Sequence, residues 1–220
     1  MNARIGHRGA CGYAPENTLA SFRKALELGV AGVEFDIQLS KDGQPMVIHD
    51  ATLDRTTNGK GAVSNFTYAE LKKLDAGGGQ KILHLRDVLT LVDKRCDLLI
   101  ELKTDAMAQV EKIIRDAVAN GWRYDQLWVL SFNHFQLKEI CRINPSIKTC
   151  ASFEQMPTAL PDIGAAAIGP YIGALNQALV DDAHKRGLKV FTWTCNTPED
   201  ITKAKALGVD GIIGDYPDRL

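Results

Sequence analysis

The cysteines of this 220-residue chain form neither an even set nor a CxxC pair. There are five of them, Cys11, Cys96, Cys141, Cys150 and Cys195. An odd number at such wide spacing argues against a disulfide framework and against a structural zinc site built on sulfur. We therefore predict a protein of a reducing compartment, in which the cysteines are buried as small hydrophobic residues.

The sequence also has no long apolar run and no excess of charge of one sign. No stretch approaches the roughly 18 apolar residues that a membrane-spanning helix needs, and the N-terminal residues enter a strand without an apolar signal segment. The 26 basic and 27 acidic residues give a net charge of −1, which argues against a nucleic-acid groove and a polybasic membrane patch. We expect a cytoplasmic protein without stable membrane association.

A glycine-rich phosphate-binding loop is absent as well. Gly9, Gly12 and the glycines of residues 59–61 fit neither the Rossmann spacing nor the P-loop spacing. Neither nucleotide-binding fold is therefore predicted, and an anionic ligand must be held by the charge of nearby side chains.

What the sequence does contain is a repeated alternation of short apolar strands and helical patterns. Nine segments have strand character, and several helical patterns end at a glycine, as at Gly29, Gly121 and Gly208. Nearly continuous apolar strands separated by helices are typical of a parallel sheet, and about eight such units predict a small (β/α)8 TIM-type barrel. We expect residues 1–220 to form it as a single domain. One of the nine candidates must then be wrong, and residues 165–168, with few β-branched side chains, are the weakest.

The third strand candidate, which begins at Met46, needs a special connection. The turn at residues 41–43 leaves too few residues before Met46 for a crossover helix, so no helix is expected between strands 2 and 3. The third strand must either return as a hairpin or be reached by an extended crossing. We favour the crossing, because only a parallel strand would place His49 at the same end of the sheet as Asp36.

Glu34 and Asp36 lie two residues apart in the second strand, so their carboxylates point to the same face of the sheet. Neighbouring carboxylates repel each other, and the pair therefore needs a divalent cation, an Arg or Lys partner, or a shared proton. Glu101 adds a third acid on a later strand. Because these residues offer only oxygen ligands, we predict a site for one divalent cation, Mg2+ or Ca2+ rather than zinc, with Mn2+ as a further candidate.

Basic residues lie at or near the ends of three of the predicted strands. His7 and Arg8 are at the end of the first strand, His49 is at the end of the third, and Lys103 ends the strand that contains Glu101. Active sites of (β/α)8 barrels form at the carboxyl ends of the strands, so we expect these groups to converge there. His7 and His49 are candidate metal ligands, but two imidazoles on either side of a hard cation are better placed for proton transfer. Arg8 and Lys103 suit an anionic substrate such as a phosphate ester. Any one of them alone could equally form a salt bridge or end a strand.

Other polar and aromatic residues have two interpretations each. Trp193 either forms a wall of the pocket or packs within the barrel. Asp215 either lies at the edge of the site or caps the last strand. We expect His84, His134 and His184 to be surface or local-structure residues.

A series of short motifs runs along the whole chain: Gly6-His7-Arg8-Gly9, Pro15-Glu16-Asn17-Thr18, Glu34-x-Asp36, Lys41-Asp42-Gly43, His49-Asp50, Arg55-Thr56-Thr57-Asn58-Gly59, Glu101-Leu102-Lys103 and Trp193-Thr194-x-Asn196. In content and order they resemble the glycerophosphodiester phosphodiesterase family. The resemblance implies a metal-dependent enzyme on a (β/α)8 barrel that hydrolyses small glycerophosphodiesters to sn-glycerol 3-phosphate and an alcohol. By motif position it assigns the following roles: metal binding to Glu34, Asp36 and Glu101, acid/base catalysis to His7 and His49, and phosphate binding to Arg8 and Lys103.

Two alternatives to this function use the same residues. A lysophospholipase D-type phosphodiesterase would share the core chemistry but would need an apolar access surface, and the sequence has no exposed amphipathic stripe. A non-catalytic barrel that only binds phosphoesters would be expected to have a broken site, whereas every expected position is filled.

Overall fold

The computed structural model describes residues 2–155 and 163–220. The strands, in chain order, are β1 (Ala3–Gly6), β2 (Gly32–Leu39), β3 (Pro45–Val47), β4 (Leu83–His84), β5 (Asp97–Leu102), β6 (Leu127–Ser131), β7 (Lys148–Phe153), β8 (Ala167–Pro170), β9 (Lys189–Thr192) and β10 (Gly211–Gly214). All except β3 and β4 are parallel, and they close into a barrel because β1 pairs with both β10 and β2. The predicted eight-stranded (β/α)8 barrel is confirmed.

The α-helices of the described residues are, in chain order, α1 (Leu19–Glu27), α2 (Tyr68–Leu71), α3 (Leu85–Val92), α4 (Met107–Ala119), α5 (His134–Ile143), α6 (Gln177–Lys185) and α7 (Pro198–Ala206). All except α2, which lies between β3 and β4, precede a barrel strand. Side-chain caps determine where several begin. The Thr18 hydroxyl accepts a hydrogen bond from the N–H of Ser21 before α1, and Thr67 with Glu70 forms a capping box before α2. Among the described residues, no helix is long and apolar enough to cross a lipid bilayer.

Strand β2 shows how the sequence directs side chains to either side of the barrel wall. Val33, Phe35 and Ile37 belong to the core between the barrel and the helices, where the Phe35 ring packs edge to face on Phe22 of α1, with 5.7 Å between ring centres. Because side chains alternate along a strand, the intervening Glu34 and Asp36 face the barrel interior. The apolar face of β2 therefore holds two carboxylates in place inside the barrel.

The third strand corrects one expectation. β3 is antiparallel to β2, with Val47 opposite Ile37 and Pro45 opposite Leu39, and it lies outside the barrel. The connection is a hairpin, in which the N–H of Ser40 donates to the carbonyl of Gln44 over 3.0 Å. The predicted extended crossing is therefore wrong.

The physical reason is that β2 extends past its barrel neighbour. This neighbour is β1, which pairs with β2 only at Gly32 and Val33. The returning β3 pairs with residues 37–39 further along the same edge of β2, while β5 pairs along the other edge. The return brings the N–H of Ile48 within 3.1 Å of the Asp36 carbonyl oxygen, so the next residue, His49, reaches the same end of the sheet. An antiparallel strand can thus deliver His49 there, which the sequence argument did not allow for.

The strand candidate that was judged weakest is a barrel strand. β8 pairs with β7 on one side and with β9 on the other, so it is β3 that lies outside the barrel. The small residues of β8 fit a crowded position, because a Cβ added to Gly169 would lie 3.1 Å from Ser152 Oγ. Close packing between neighbouring strands here outweighs a weak intrinsic strand preference.

Candidate active site

A cavity at the carboxyl ends of the barrel strands brings the predicted site residues together. It encloses about 150 Å³ accessible to water. Seven of the eight predicted residues line it: His7, Arg8, Glu34, His49, Glu101, Lys103 and Trp193. The eighth, Asp36, is 1% exposed and lies directly against the lining, with its Oδ1 3.4 Å from Lys103 Nζ. A larger cavity of about 570 Å³ opens at the other end of the barrel, beside Arg4 and Asp97, and neither His7 nor His49 lines it.

Three buried carboxylates form the floor of the site. Strand register places Asp36 beside Glu101, and Glu34 lies two residues earlier on the same face. One oxygen from each of the three lies within 4.8 Å of the others. Burial, followed by repulsion from Asp36 and Glu101, raises the pKa of Glu34 well above its ordinary value. Burial also raises the pKa of Glu101, although Lys103 opposes this shift.

Two cationic side chains only partly balance these acids. Lys103 Nζ contacts a Glu101 oxygen and Asp36, while Arg8 Nε lies 3.4 Å from Asp36 Oδ2. Arg8 is shared with a fourth carboxylate, since its Nη1 donates to Glu16 over 2.8 Å. Burial would lower the pKa of Arg8, but the charges of Asp36, Glu16 and Glu34 raise it. The three acids thus have two basic partners, and one of these, Arg8, is shared with Glu16.

The donor set fits a hard divalent cation. All three carboxylates offer oxygen, and the repulsion that raises the pKa of Glu34 is what a cation would relieve. A further oxygen lies nearby. Asn17 donates to Asp36 Oδ2 over 2.9 Å, and in the described part of the chain its buried Oδ1 has no hydrogen-bond partner.

The first histidine is held by the last barrel strand. His7 Nδ1 lies 2.6 Å from Asp215 Oδ1, and Asn196 Nδ2 donates to the other oxygen of Asp215 over 2.7 Å. Hydrogen bonds from His7 and Cys11 outweigh burial and lower the pKa of Asp215 to about 2. A carboxylate at this position keeps the proton on Nδ1 and leaves Nε2, which lies 4.0 Å from Glu34 Oε2, facing the carboxylates.

The second histidine has a carboxylate partner of its own. His49 Nδ1 lies 2.7 Å from Asp50 Oδ1, and Arg55 donates to both oxygens of Asp50, over 2.7 and 3.0 Å. Arg55 also donates to both oxygens of Glu16, which accepts from Arg8. A series of ion pairs therefore links His49 and Asp50 to Arg8. Burial lowers the pKa of His49, although Asp36 and Asp50 oppose this. The imidazole therefore stays neutral at a lower pH than usual.

The turn after β1 explains how two basic residues fit beside Glu34. Arg8 and Gly9 have φ angles of 49° and 84°, and the Arg8 N–H donates to Glu34 Oε2 over 3.0 Å. A Cβ on Gly9 would collide with Ser21 of α1. Glycine thus allows the turn to pack on the helix while its first residues reach into the barrel.

Aromatic rings form one side of the cavity mouth. Trp193 has Phe132 and Tyr171 as neighbours, each with 5.4 Å between ring centres, and its Nε1 donates to the carbonyl of Gly169 over 2.8 Å. Both interpretations of Trp193 therefore hold, because it packs on the barrel and lines the cavity.

Several residues of the site had no role in the sequence argument. The structure adds Glu16, Asn17, Asp50, Arg55 and Asn196 to the network around the predicted residues. All of them belong to the motifs on which the family resemblance rests. Membership of these motifs was the one feature of the sequence that could have indicated a role for them. Asp215, which was left with two interpretations, contacts His7. The other histidines have local partners as expected: His84 caps α3, His134 lies 3.0 Å from the Ser152 carbonyl and His184 lies 3.0 Å from Asp210.

Comparison with known proteins identifies the family. The model of the glycerophosphoryl diester phosphodiesterase family matches residues 7–219. A glycerophosphodiester phosphodiesterase of Caldanaerobacter subterraneus is 38% identical, over 98% of this chain and 95% of its own length. The chain therefore belongs to the glycerophosphoryl diester phosphodiesterase family, as the motifs predicted.

Solved structures agree with this assignment. An Oleispira antarctica phosphodiesterase, determined in complex with the product sn-glycerol-3-phosphate, matches with a TM-score of 0.88 at 32% identity, over 98% of this chain and 93% of that chain. A glycerophosphodiester phosphodiesterase of Agrobacterium tumefaciens matches with a TM-score of 0.87 at 28% identity, over 100% of this chain and 98% of that one.

Proposed function

We propose that the protein hydrolyses glycerophosphodiesters to sn-glycerol 3-phosphate and an alcohol, with the help of one divalent cation. The observation that carries the proposal is the convergence of three buried carboxylates and two imidazoles, each imidazole held by its own aspartate. The match to a phosphodiesterase that was solved with sn-glycerol-3-phosphate supports it.

The cation would be held by Glu34, Asp36 and Glu101. Their oxygen-only donor set favours Mg2+ or Ca2+, with Mn2+ as a further candidate. When bound, the cation supplies positive charge for the phosphate and lowers the pKa of a substrate hydroxyl.

The two histidines would move the protons of the reaction. One takes the proton of a glycerol hydroxyl as this hydroxyl attacks phosphorus, and the other protonates the leaving alcohol. Water then opens the resulting cyclic phosphate. Because Asp215 and Asp50 engage the Nδ1 atoms of His7 and His49, each imidazole offers Nε2 for proton transfer.

The charge that develops on the phosphate would be stabilised by Arg8 and Lys103. Both line the cavity beside the carboxylates, and both have raised pKa values because burial is outweighed by neighbouring acids, so they stay charged at neutral pH. Trp193 would form the wall against which the substrate packs.

The test is a panel of glycerophosphodiesters assayed with Mg2+, Ca2+ or Mn2+ and with a chelator, with sn-glycerol 3-phosphate as the measured product. We expect turnover only with a cation, and collapse of turnover in His7→Ala and in His49→Ala with the fold retained. His184→Ala, at a surface histidine paired with Asp210, is the matched control. A near wild-type rate in His49→Ala would refute the catalytic assignment.

One observation supports testing a second substrate class. Phe132 and Tyr171, on either side of Trp193 at the cavity mouth, are 39% and 43% exposed, and exposed rings of this kind could contact an acyl chain. A lysophospholipase D-type activity would give higher kcat/KM on a lysophospholipid than on a water-soluble diester. A preference for the water-soluble diester excludes it as the main activity.

A further inference from the structure

A second group of potential metal ligands lies behind His7, on the side away from the three carboxylates. It combines His7 Nδ1, Cys11 Sγ and an Asp215 oxygen, all within 4.8 Å of one another. His7 Nδ1 lies 2.6 Å from Asp215 Oδ1, Cys11 Sγ donates to the same oxygen over 3.0 Å, and the sulfur lies 3.9 Å from Nδ1. The cluster thus contains one nitrogen, one sulfur and one oxygen donor.

This mixture suits a different metal from the one that suits the carboxylates. Zinc accepts imidazole, thiolate and carboxylate together in a tetrahedral arrangement, whereas Mg2+ and Ca2+ prefer oxygen. Metal–ligand bonds of about 2.0–2.3 Å at tetrahedral angles place the donors roughly 3.3–3.6 Å apart. The observed separations of 2.6, 3.0 and 3.9 Å therefore need shifts of well under about 1 Å to reach that geometry.

The position is also open to an incoming ion. The side chains of His7 and Asp215 are 18% and 26% exposed, and Cys11 is partly exposed. A water molecule could therefore fill the fourth coordination position. Burial, together with the hydrogen bond to Asp215, raises the pKa of Cys11, so without a metal this residue is a protonated thiol that zinc would deprotonate on binding, with release of the proton to solvent.

We propose that His7, Cys11 and Asp215 form a zinc site, separate from the carboxylate site, and that zinc bound there inhibits the reaction. The inhibition rests on the function proposed above, but the binding does not.

The reason for inhibition is the tautomer of His7. With Asp215 as its partner, the ring carries its proton on Nδ1 and presents a free Nε2 to the cavity. A zinc ion on Nδ1 forces the proton of the neutral ring onto Nε2, and Nε2 can then accept no further proton. Donation from such a ring would leave an imidazolate, which is unfavourable. The ring is thus disabled as a base and as an acid, whichever role it has.

The activity test compares three enzymes at saturating Mg2+ while buffered free zinc is increased. We expect zinc to inhibit the wild type and Cys141→Ser alike, the latter being a matched control at a partly exposed cysteine on α5. Cys11→Ser keeps the magnesium-supported activity, because a serine hydroxyl can still donate to Asp215, but needs on the order of tenfold more zinc for half-inhibition. Equal inhibition of all three enzymes overturns the proposal.

A second measurement does not depend on turnover. Co2+ added in the presence of saturating Mg2+ should give one equivalent of a thiolate-to-cobalt charge-transfer band in the wild type and in Cys141→Ser, and none in Cys11→Ser. Absence of the band from the wild type overturns the site even if the protein hydrolyses glycerophosphodiesters. Presence of the band in a protein without hydrolytic activity supports the site while rejecting the proposed function.

Discussion

His7 and Asp215 are 208 residues apart in the sequence, and the atoms Nδ1 and Oδ1 of these residues lie 2.6 Å apart. The contact spans the closure of the barrel, because His7 follows β1 and Asp215 follows β10, and these strands pair with each other. The closing pair of strands thus fixes the orientation of a proposed catalytic imidazole.

The first prediction concerns this contact. Asp215→Asn can donate to Nδ1, so it favours the tautomer with its proton on Nε2, and we expect kcat to fall roughly 10²- to 10⁴-fold with a much smaller change in KM. Steady-state kinetics measure both constants. Asp218→Asn, three residues further on, where the carboxylate accepts a hydrogen bond from the Tyr13 hydroxyl, is the control. A kcat close to wild type in Asp215→Asn would show that Asp215 does not position His7.

The second prediction concerns the partner of His49. Arg55 donates to Asp50 through Nε and Nη2, and a lysine cannot reproduce this two-point contact. Arg55→Lys should therefore lower kcat by roughly tenfold to a hundredfold while leaving the fold intact, since a residue behind a functional group typically has effects of this size. Arg142→Lys, which alters an exposed pair with Glu139, should leave kcat unchanged. Equal rates for both variants would count against a role for Arg55.

The third prediction links the carboxylates to stability. Because the pKa of Glu34 is raised in the folded protein, ionisation of this carboxyl lowers the free energy of unfolding as the pH rises above about 4.5, the ordinary value. Glu34→Gln should therefore unfold at a higher temperature than the wild type when both are in chelator at pH 7.

A cation should reverse this order. Binding at about 100 times the dissociation constant stabilises the wild type by roughly 2.7 kcal/mol, or about 5–10 °C in Tm for a chain of this size. Glu34→Gln should lose most of that increase, whereas Glu27→Gln, at an exposed position of α1, should keep it. Thermal unfolding with and without Mg2+ or Ca2+ measures the shifts. An equal cation response in Glu34→Gln and the wild type would remove Glu34 from the proposed metal site.

The fourth prediction concerns pH. Burial lowers the pKa of His49, so this imidazole should titrate below 6.5, its ordinary value. Asp50 opposes that shift, and Asp50→Asn should therefore move the pKa of His49 further down. NMR titration of the labelled imidazole rings measures both values directly. An upward movement in Asp50→Asn would mean that the carboxylate does not act on the ring as the geometry indicates.

The acidic part of the site could be predicted from the sequence because it depends on two regular features. Side chains alternate along a strand, which puts Glu34 and Asp36 on one face, and parallel neighbours in register put Glu101 beside Asp36. The position of His49 was predicted at the correct end of the sheet but by the wrong route, because the extension of β2 past β1 depends on where the pairing of these two strands ends. No local pattern encodes that point.

The partners of the histidines were harder to predict. The contact between Asp215 and His7 requires the register of the first and last strands, and the contact of Arg55 with Asp50 and Glu16 requires the path of an irregular loop. Hydrophobic periodicity carries information about neither. The motifs contained most of these residues, but a motif records which residues occur together and not which atoms meet.

The hairpin of β2 and β3 has a consequence for engineering the specificity of this barrel. His49 lies two residues after β3, which is outside the parallel barrel. A one-residue slip in the pairing of β2 with β3 would turn each side chain of β3 to the opposite face. A graft from a related barrel must therefore preserve the length of this hairpin, so that the pairing of β2 with β3 keeps its register. The segment from Leu39 to His49 has to be transplanted as one unit of fixed length.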